Sequence, residues 1–142
     1  MRIMGLDVGE KRIGIAISDP MGWTAQGHSV LQRSVLEADV KNIGQLCQDY
    51  EVEKIVVGLP LNMDGSIGPK VLEVQEFARS LETALAIEVA YWDERLSTKS
   101  AERVLIEADL SRRRRKQVID KMAAVHILQA YLDYQDSASK RV

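Results

Sequence analysis

The N-terminal part of the chain has the alternating apolar and polar positions typical of β-strands. Ile13, Ile15 and Ile17 lie on one face of such a segment, and the short turn sequence VGEK separates it from the apolar segment before it. Another turn sequence, SDPMG, precedes a third segment. We therefore predict a meander of three antiparallel strands, which cover residues 2–7, 12–18 and 25–32.

The rest of the chain combines helical periodicity with short apolar runs. Ser34 and Glu37 have capping-box spacing, and apolar residues recur at helical intervals from there to about Tyr50. The run KIVVGLP is typical of a strand covered on both faces, and AIEVAYW predicts a further strand. The predicted elements are helices at 34–50, 69–85, 97–108 and 116–134, and strands at 54–60 and 86–92.

This order of elements predicts a single α/β domain over residues 1–142. Three antiparallel strands followed by strand and helix units imply a mixed sheet with helices on both faces. Neither an internal repeat nor a Pro-, Gly- or Ser-rich linker divides the chain. We expect one hydrophobic core, a mobile basic loop at 111–116 and a flexible tail from about residue 135.

Composition narrows the class of protein. The chain is 46% hydrophobic and 28% charged, and no apolar run approaches the ~20 residues that a membrane helix needs. The first residues, MRIMGLDVG, do not have the pattern of a secretory signal, and the single cysteine, Cys47, cannot form an internal disulfide. We expect a cytoplasmic protein without a membrane partner, in which Cys47 is a small buried residue and not a nucleophile.

A cluster of five consecutive cations precedes the last predicted helix: Arg112, Arg113, Arg114, Arg115 and Lys116. The net charge of the chain is −2, so the acids are concentrated elsewhere. Local clustering indicates nucleic-acid binding better than the overall charge does. The cluster is either a solvated linker whose like charges repel one another or a loop that contacts phosphates, and the surrounding sequence favours the loop.

Two acids lie where a buried position is expected. Asp7 interrupts an apolar strand, where an unpaired charge is costly unless it is hydrogen-bonded, paired or bound to a metal. Asp120 heads an apolar stripe of the last helix, although the helix dipole alone also favours an acid in a first turn. Gly5, on the strand face of Asp7, is a plausible floor for this helix. The stripe consists of Ala123, Ala124, Ile127, Leu128 and Tyr131.

A third acidic position follows the strand at 86–92. Alternation places Glu94 on the face of Ala90, and it places Asp93 on the opposite face. If the last helix covers the face of Ala90, Glu94 points towards Asp7. The alternative is a surface acid paired with Arg95, and the sequence leaves open which of the two acids belongs to a site.

Carboxylates from three separate segments would repel one another unless a cation joined them. Oxygen ligands favour Mg²⁺ or Mn²⁺ over Zn²⁺, and such ions activate water for phosphodiester hydrolysis. We therefore predict that Asp7, Glu94 and Asp120 are catalytic residues and metal ligands. The number of metal ions stays open.

Several residues near these acids are candidates for phosphate binding. Lys11 and Arg12 follow Asp7 and are either phosphate ligands or ordinary solvated turn residues. The loop GLPLNMDGSIGP joins a strand end to a helix N-terminus, a place where backbone N–H groups bind phosphate, unless its glycines serve the turn alone. From this region we predict contacts by Gly58, Asn62, Gly65 and Arg95.

Four motifs together resemble the YqgF/RuvX family of RNase H-like proteins. In chain order they are GLDVGEKRIGIAISD, VVGLPLNMDGSIGP, DERLST and IDKMAAVHILQAYLD, and they span about residues 2–134. Members of the family are described as Holliday-junction resolvases and as the nuclease that processes the 5′ end of pre-16S rRNA. The resemblance implies a five-stranded mixed sheet, a divalent metal and hydrolysis of nucleic acid. It places the acidic sites on Asp7, Glu94 and Asp120.

The resemblance has one departure and leaves the substrate open. Many RNase H-like nucleases carry their second acid on the strand beside the first, but that strand ends here in Gly58, Leu59 and Pro60. We expect processing of pre-16S rRNA. The alternatives are cleavage of branched DNA, which needs two symmetric sites and hence a homodimer instead of a monomer, and nucleic-acid binding without catalysis. The three acids argue against simple binding, since carboxylates repel phosphates.

Overall fold

The structure is a computed structural model that describes residues 2–96 and 112–140, with side chains for residues 2–95 and 119–135. It contains the strands β1 (Arg2–Val8), β2 (Arg12–Ser18), β3 (Ala25–Gln32), β4 (Val52–Leu59) and β5 (Glu88–Asp93). The helices are α1 (Leu36–Asp49), α2 (Pro69–Leu85) and α3 (Arg112–Lys140), and a 3₁₀ turn covers Glu94–Leu96. The helix predicted at about 97–108 lies outside the described residues.

The five strands form one mixed sheet in the order β3-β2-β1-β4-β5. β1 and β3 are both antiparallel to β2, whereas β1 pairs with β4, and β4 with β5, in parallel. This confirms the predicted sheet and its three antiparallel N-terminal strands. The helix α1 makes the crossover that the parallel pairing of β1 with β4 requires.

The sheet divides the hydrophobic core into two layers, one on each of its faces. Met4, Leu6 and Val8 of β1 pack with apolar residues of α1 and α2 on one face. Ile3 packs on the other face with Ala124, Leu128 and further residues of α3. Because side chains alternate along a strand, Gly5 and Asp7 share the α3 face with Ile3.

The helix α3 lies unusually close to the sheet. A Cβ atom built on Gly5 would be 2.7 Å from Cβ of Leu128 and 3.1 Å from the carbonyl oxygen of Ala124. At Gly14 a Cβ atom would overlap the carbonyl oxygen of Asp120. The expectation that Gly5 forms the floor beneath this helix is therefore confirmed.

The boundaries of α3 differ from the prediction. The helix begins at Arg112 instead of near Lys116, so the basic cluster forms its first turns and not a loop. It also continues through residue 135 to Lys140, where the sequence analysis expected a tail. Arg and Lys are good helix formers, but the cluster has no apolar periodicity from which its helical state could be predicted.

The capping box predicted for α1 is wrong. The N-cap residue is Val35, and no side chain caps the helix. Instead, a carboxylate oxygen of the buried Asp39 accepts a hydrogen bond from the backbone N–H of Ser34, at 3.0 Å. This acid replaces Glu37 as the residue that fixes the entry of the chain into α1.

Two further expectations concern burial and the membrane. Cys47 is 3% exposed in the α1 layer, and burial raises its pKa to about 11. This confirms that it is a buried residue. Of the helices that the structure describes, none is long and apolar enough to cross a membrane.

Cys47 should react slowly with thiol reagents while the protein is folded. The raised pKa of about 11, against 9.0 for a free thiol, makes the thiolate roughly 100-fold rarer near pH 8. The stability that the neutral thiol contributes is complete below pH 9 and is lost as the pH rises towards 11. Ellman's reagent with and without urea measures the difference, and equal rates in the two conditions would contradict it.

Replacing Gly14 by Ala should destabilise the fold and displace Asp120. The added methyl group overlaps the Asp120 carbonyl oxygen, and such overpacking costs about 1–3 kcal/mol in the free energy of unfolding. Gly68→Ala is the matched control, because its nearest atoms are at 3.5 Å and its effect should stay within about 1 kcal/mol. Urea denaturation measures both variants. Equal stabilities would show that α3 does not depend on this close approach.

Candidate active site

Asp7 lies between two glycines on the neighbouring strands. In the register of the sheet it pairs with Gly14 of β2. On the other side Leu6 pairs with Val57 of β4, so the next position places Gly58 beside Asp7. Neighbouring strands are ~4.8 Å apart, and paired residues share a face of the sheet. The positions that flank Asp7 on β2 and β4 therefore place no side chain of their own on the α3 face.

Asp120 occupies the space above the first of these glycines. Its carbonyl oxygen lies where a side chain of residue 14 would be, so its backbone stands directly over the β2 neighbour of Asp7. The apolar stripe of α3 causes this position, because Ala124 and Leu128 pack on the sheet further along the helix. The predicted close approach of α3 to the sheet is confirmed, and it places Asp120 over β2, the strand next to that of Asp7.

Glu94 occupies the space above the second glycine. A Cβ atom built on Gly58 would be 3.0 Å from Cγ of Glu94 and 2.5 Å from Cδ1 of Ile127. Ala90 and Trp92 of β5 also pack in the α3 layer. Alternation therefore continues from β5 into the 3₁₀ turn, and Glu94 lies on the face that the sequence predicted.

Asp93 is held away from this face by Arg95. Its carboxylate accepts hydrogen bonds from the Arg95 side chain, the shortest being 2.6 Å from Nη2, and one of 3.0 Å from the backbone N–H. The bonds from the Arg95 side chain lower the pKa of Asp93 below 3.8. The sequence analysis considered an ion pair with Arg95 as the alternative role of Glu94. In the structure, Asp93 makes this pair.

Arg12 pairs with Asp120. Its Nε atom donates a hydrogen bond of 2.6 Å to Oδ2, and the two side chains are 27% and 21% exposed. The neighbouring Lys11 is exposed. Of the two cations after Asp7, Arg12 therefore lies at the acids and Lys11 lies at the surface, a division that the sequence did not predict.

The loop after β4 is closed by its own hydrogen bonds. The backbone N–H of Asn62 donates to the carbonyl oxygen of Ser66 at 3.1 Å, and its side-chain amide donates to the Ser66 hydroxyl at 2.9 Å. Gly65 has a φ of 86°, a conformation that favours glycine. Arg95 crosses this loop and donates to the carbonyl oxygen of Met63 at 3.3 Å. Asn62, Gly65 and Arg95 are therefore neighbours.

The other residues predicted to contact phosphate lie outside this loop. Gly58 belongs to β4, where its missing side chain makes room for Glu94, and it is not part of the loop. The basic cluster from Arg112 to Lys116 belongs to the start of α3, but its side chains lie outside the described ones. Their contact with phosphate stays a prediction.

Arg33 was missed by the sequence analysis. Its Nη1 atom donates a hydrogen bond to the carbonyl oxygen of Gly9 at 2.7 Å, and its backbone N–H donates one to the carbonyl oxygen of Lys11 at 2.9 Å. Arg33 therefore holds the turn that carries Lys11 and Arg12. Its guanidinium lies 5.0 Å from the ring centre of Phe77. No local pattern marks an arginine after a strand as the support of a distant turn.

The three acids fit a hard divalent cation in chemistry and in backbone position. All are carboxylates, and Asp120 and Glu94 each pack over one of the two glycines that lie beside Asp7. Within the part of the chain that the structure describes, however, no three His, Cys, Asp or Glu side chains stand close enough together to hold a metal ion. The carboxylate of Asp120 is turned to Arg12 instead.

Comparisons with known proteins identify the family of this chain. The family model described as "RuvX: Holliday junction resolvase" matches residues 1–134. A protein of Syntrophomonas wolfei named "Putative pre-16S rRNA nuclease" is 74% identical over 94% of each chain, and one of Pelotomaculum thermopropionicum with the same name is 60% identical over 95% of this chain and 88% of its own.

Solved structures support the fold. RuvC of Thermus thermophilus, in complex with a Holliday junction substrate, has a TM-score of 0.59 at 11% identity, over 95% of this chain and 96% of its own. The Fowlpox virus resolvase in complex with Holliday junction DNA has a TM-score of 0.59 at 12% identity, over 95% and 99%. The family predicted from the four motifs is confirmed: the chain belongs to the RuvX family and is a nuclease, a hydrolase that acts on phosphodiester bonds.

Proposed function

We propose that this nuclease cleaves pre-16S rRNA at its 5′ end in the cytoplasm, with Asp7, Glu94 and Asp120 as its catalytic acids. The observation that carries the proposal is the pair of glycines beside Asp7, one beneath Asp120 and the other beneath Glu94. The choice of RNA is supported by the relatives, which match this chain over nearly their whole length and are named for that substrate.

The three acids would hold Mg²⁺ or Mn²⁺ through their carboxylate oxygens. When bound, such an ion lowers the pKa of water and stabilises the leaving oxygen of a phosphodiester. In this proposal Asp120 exchanges Arg12 for the ion, and the exchange leaves the guanidinium available for the phosphate of the substrate. Arg12 thus has two partners of the same charge, a carboxylate before the substrate binds and a phosphate afterwards.

Two regions beside the acids, one with Lys11 and one with Arg95, would guide the nucleic acid. Lys11 lies exposed on the turn that Arg33 supports, and Arg95 lies on the loop with Asn62 and Gly65. Because the two regions follow β1 and β5, they flank the acids on either side, and the basic cluster at the start of α3 adds a third group of cations. Non-specific attraction to phosphates falls with rising salt, so binding should be salt-dependent.

Resolution of Holliday junctions is the second candidate, since the matching family model carries that description. It differs in its physical requirement, because two symmetric cuts need two copies of the site. Cleavage of a precursor rRNA fragment and of a four-way DNA junction, measured side by side with the oligomeric state, distinguishes the two substrates. Cleavage of the junction alone, by a dimer, would overturn the choice of RNA.

Neutralising any of the three acids should abolish cleavage. We expect Asp7→Asn, Glu94→Gln and Asp120→Asn each to lower the rate by about 100-fold or more, since each removes a negative ligand. Asp93→Asn is the matched control, because this adjacent acid is occupied by Arg95 and its loss should cost less than about fivefold. Cleavage of the rRNA fragment with Mg²⁺ or Mn²⁺ is the measurement. Full activity of Asp7→Asn, or equal losses in the Asp93 and Glu94 variants, would contradict the proposed roles.

Removing Arg12 should strengthen metal binding while it weakens catalysis. In Arg12→Gln the carboxylate of Asp120 no longer pairs with a cation, and we expect Mn²⁺ to bind about fivefold more tightly, which corresponds to ~1 kcal/mol for such a pair. Lys11→Gln loses the same charge without touching Asp120 and serves as the control. Titration calorimetry with Mn²⁺ gives both affinities. Weaker binding in Arg12→Gln would mean that Arg12 orients Asp120 for the metal and does not compete with it.

A further inference from the structure

The turn between β2 and β3 is held rigidly by Asp19. Its carboxylate accepts hydrogen bonds from the backbone N–H groups of Thr24 and Trp23, both at 2.7 Å, and of Met21 at 3.1 Å. These bonds, that from Thr24 foremost, lower the pKa of Asp19 below 3.8. Gly22 completes the turn with a φ of 73°.

The same turn is fastened to α3 by Gln129. The side-chain amide of Gln129 donates to the carbonyl oxygen of Trp23 at 3.1 Å, and its oxygen accepts from the backbone N–H of Ala25 at 2.9 Å. The position of the turn is thus fixed relative to the helix that carries Asp120.

This rigid turn presents a large exposed aromatic side chain. Trp23 is 70% exposed, and Met21 beside it is 67% exposed. In contrast, Trp92 lies in the α3 layer and contacts the rings of Tyr131 and Tyr134. An indole on an ordered backbone loses little conformational entropy when a ligand stacks on it. Trp23 therefore has the properties of a stacking platform.

The distance between this turn and the acids matches a short stretch of nucleic acid. Asp120 and Gln129 are nine residues apart on α3, which is about 14 Å along the axis. Gly14 and Ser18 give a similar distance of ~13 Å along β2. At ~3.4 Å per nucleotide in a stacked strand, this corresponds to about four nucleotides. Lys121 lies between the two ends, its aliphatic carbons 2.8 Å from the Cβ position of Gly27.

We propose that Trp23 stacks on an unpaired base of the substrate, about four nucleotides from the scissile phosphate, and that Lys121 contacts the phosphates between them. The enzyme then selects substrates that have a single-stranded segment beside the cleaved bond. A nucleic acid is the occupant that fits, because the platform continues along α3 from the acids and a cation lies on the way. This inference rests on the proposed function, since it extends the same substrate path.

Fluorescence of Trp23 tests the contact without requiring cleavage. In a protein that carries Asp7→Asn and Trp92→Phe, Trp23 is the one tryptophan left, and the probe is a single-stranded RNA oligonucleotide longer than the proposed span. We expect the RNA to quench this fluorescence. Trp23→Ala should weaken binding of the RNA by about 5- to 150-fold, as stacking on one base predicts, and Trp23→Phe should restore most of it.

Two controls separate stacking from other roles of the turn. Met21→Ala removes the exposed neighbour of Trp23 and should leave RNA binding unchanged. A blunt RNA duplex of the same length has no unpaired base, so Trp23→Ala should not weaken its binding. An equal loss on the duplex, or no rescue by Trp23→Phe, would overturn the proposal in favour of a structural role.

Other results would overturn the inference independently of the proposed function. Absence of quenching together with unchanged affinity in Trp23→Ala would show that Trp23 does not touch RNA. Sedimentation that finds wild-type dimers and Trp23→Ala monomers would assign the surface to a second copy of the chain. Rates of rRNA cleavage by Asp7→Asn and by the wild type test the function itself, so the two failures are distinguishable.

Discussion

The close contact between α3 and the sheet is the constraint on which the site depends. The helix backbone rests where side chains of the strands would normally stand, and it can do so because Gly5 and Gly14 have none. Apolar residues further along α3 supply the packing that keeps it there. The position of Asp120 is therefore a result of core packing, which brings this acid over β2, beside the strand of Asp7.

Two arginines give the acids of this region different surroundings. Arg95 forms an ion pair with Asp93, which lies on the side of β5 away from α3. This pair separates Asp93 from its neighbour Glu94. Arg12 forms an ion pair with Asp120, and this pair reduces the repulsion between Asp120 and the other carboxylates of this region. Both arginines follow a site acid closely in the chain, and Arg33 fixes the turn from which Arg12 extends.

Local patterns predicted the elements and the faces on which the acids lie. Alternation along β5 placed Glu94, and the stripe from Ala123 to Tyr131 placed Asp120, because both depend on the geometry of a single element. The partner of Asp120 could not be predicted in this way, since Arg12 is 108 residues away and either cation of the turn had the right charge. The start of α3 was missed because a run of arginines carries no apolar period.

The separation of the acids along the chain has a consequence for biosynthesis. Asp7 belongs to the first strand, and Asp120 belongs to the last helix, which must leave the ribosome before it can pack on the sheet. Since domains fold as units once their residues have emerged, a nascent chain that ends before α3 contains Asp7 and Glu94 without Asp120, and it lacks the apolar residues that α3 adds to one layer of the core. With the proposed roles of the three acids, cleavage therefore begins only after α3 has left the ribosome and packed on the sheet.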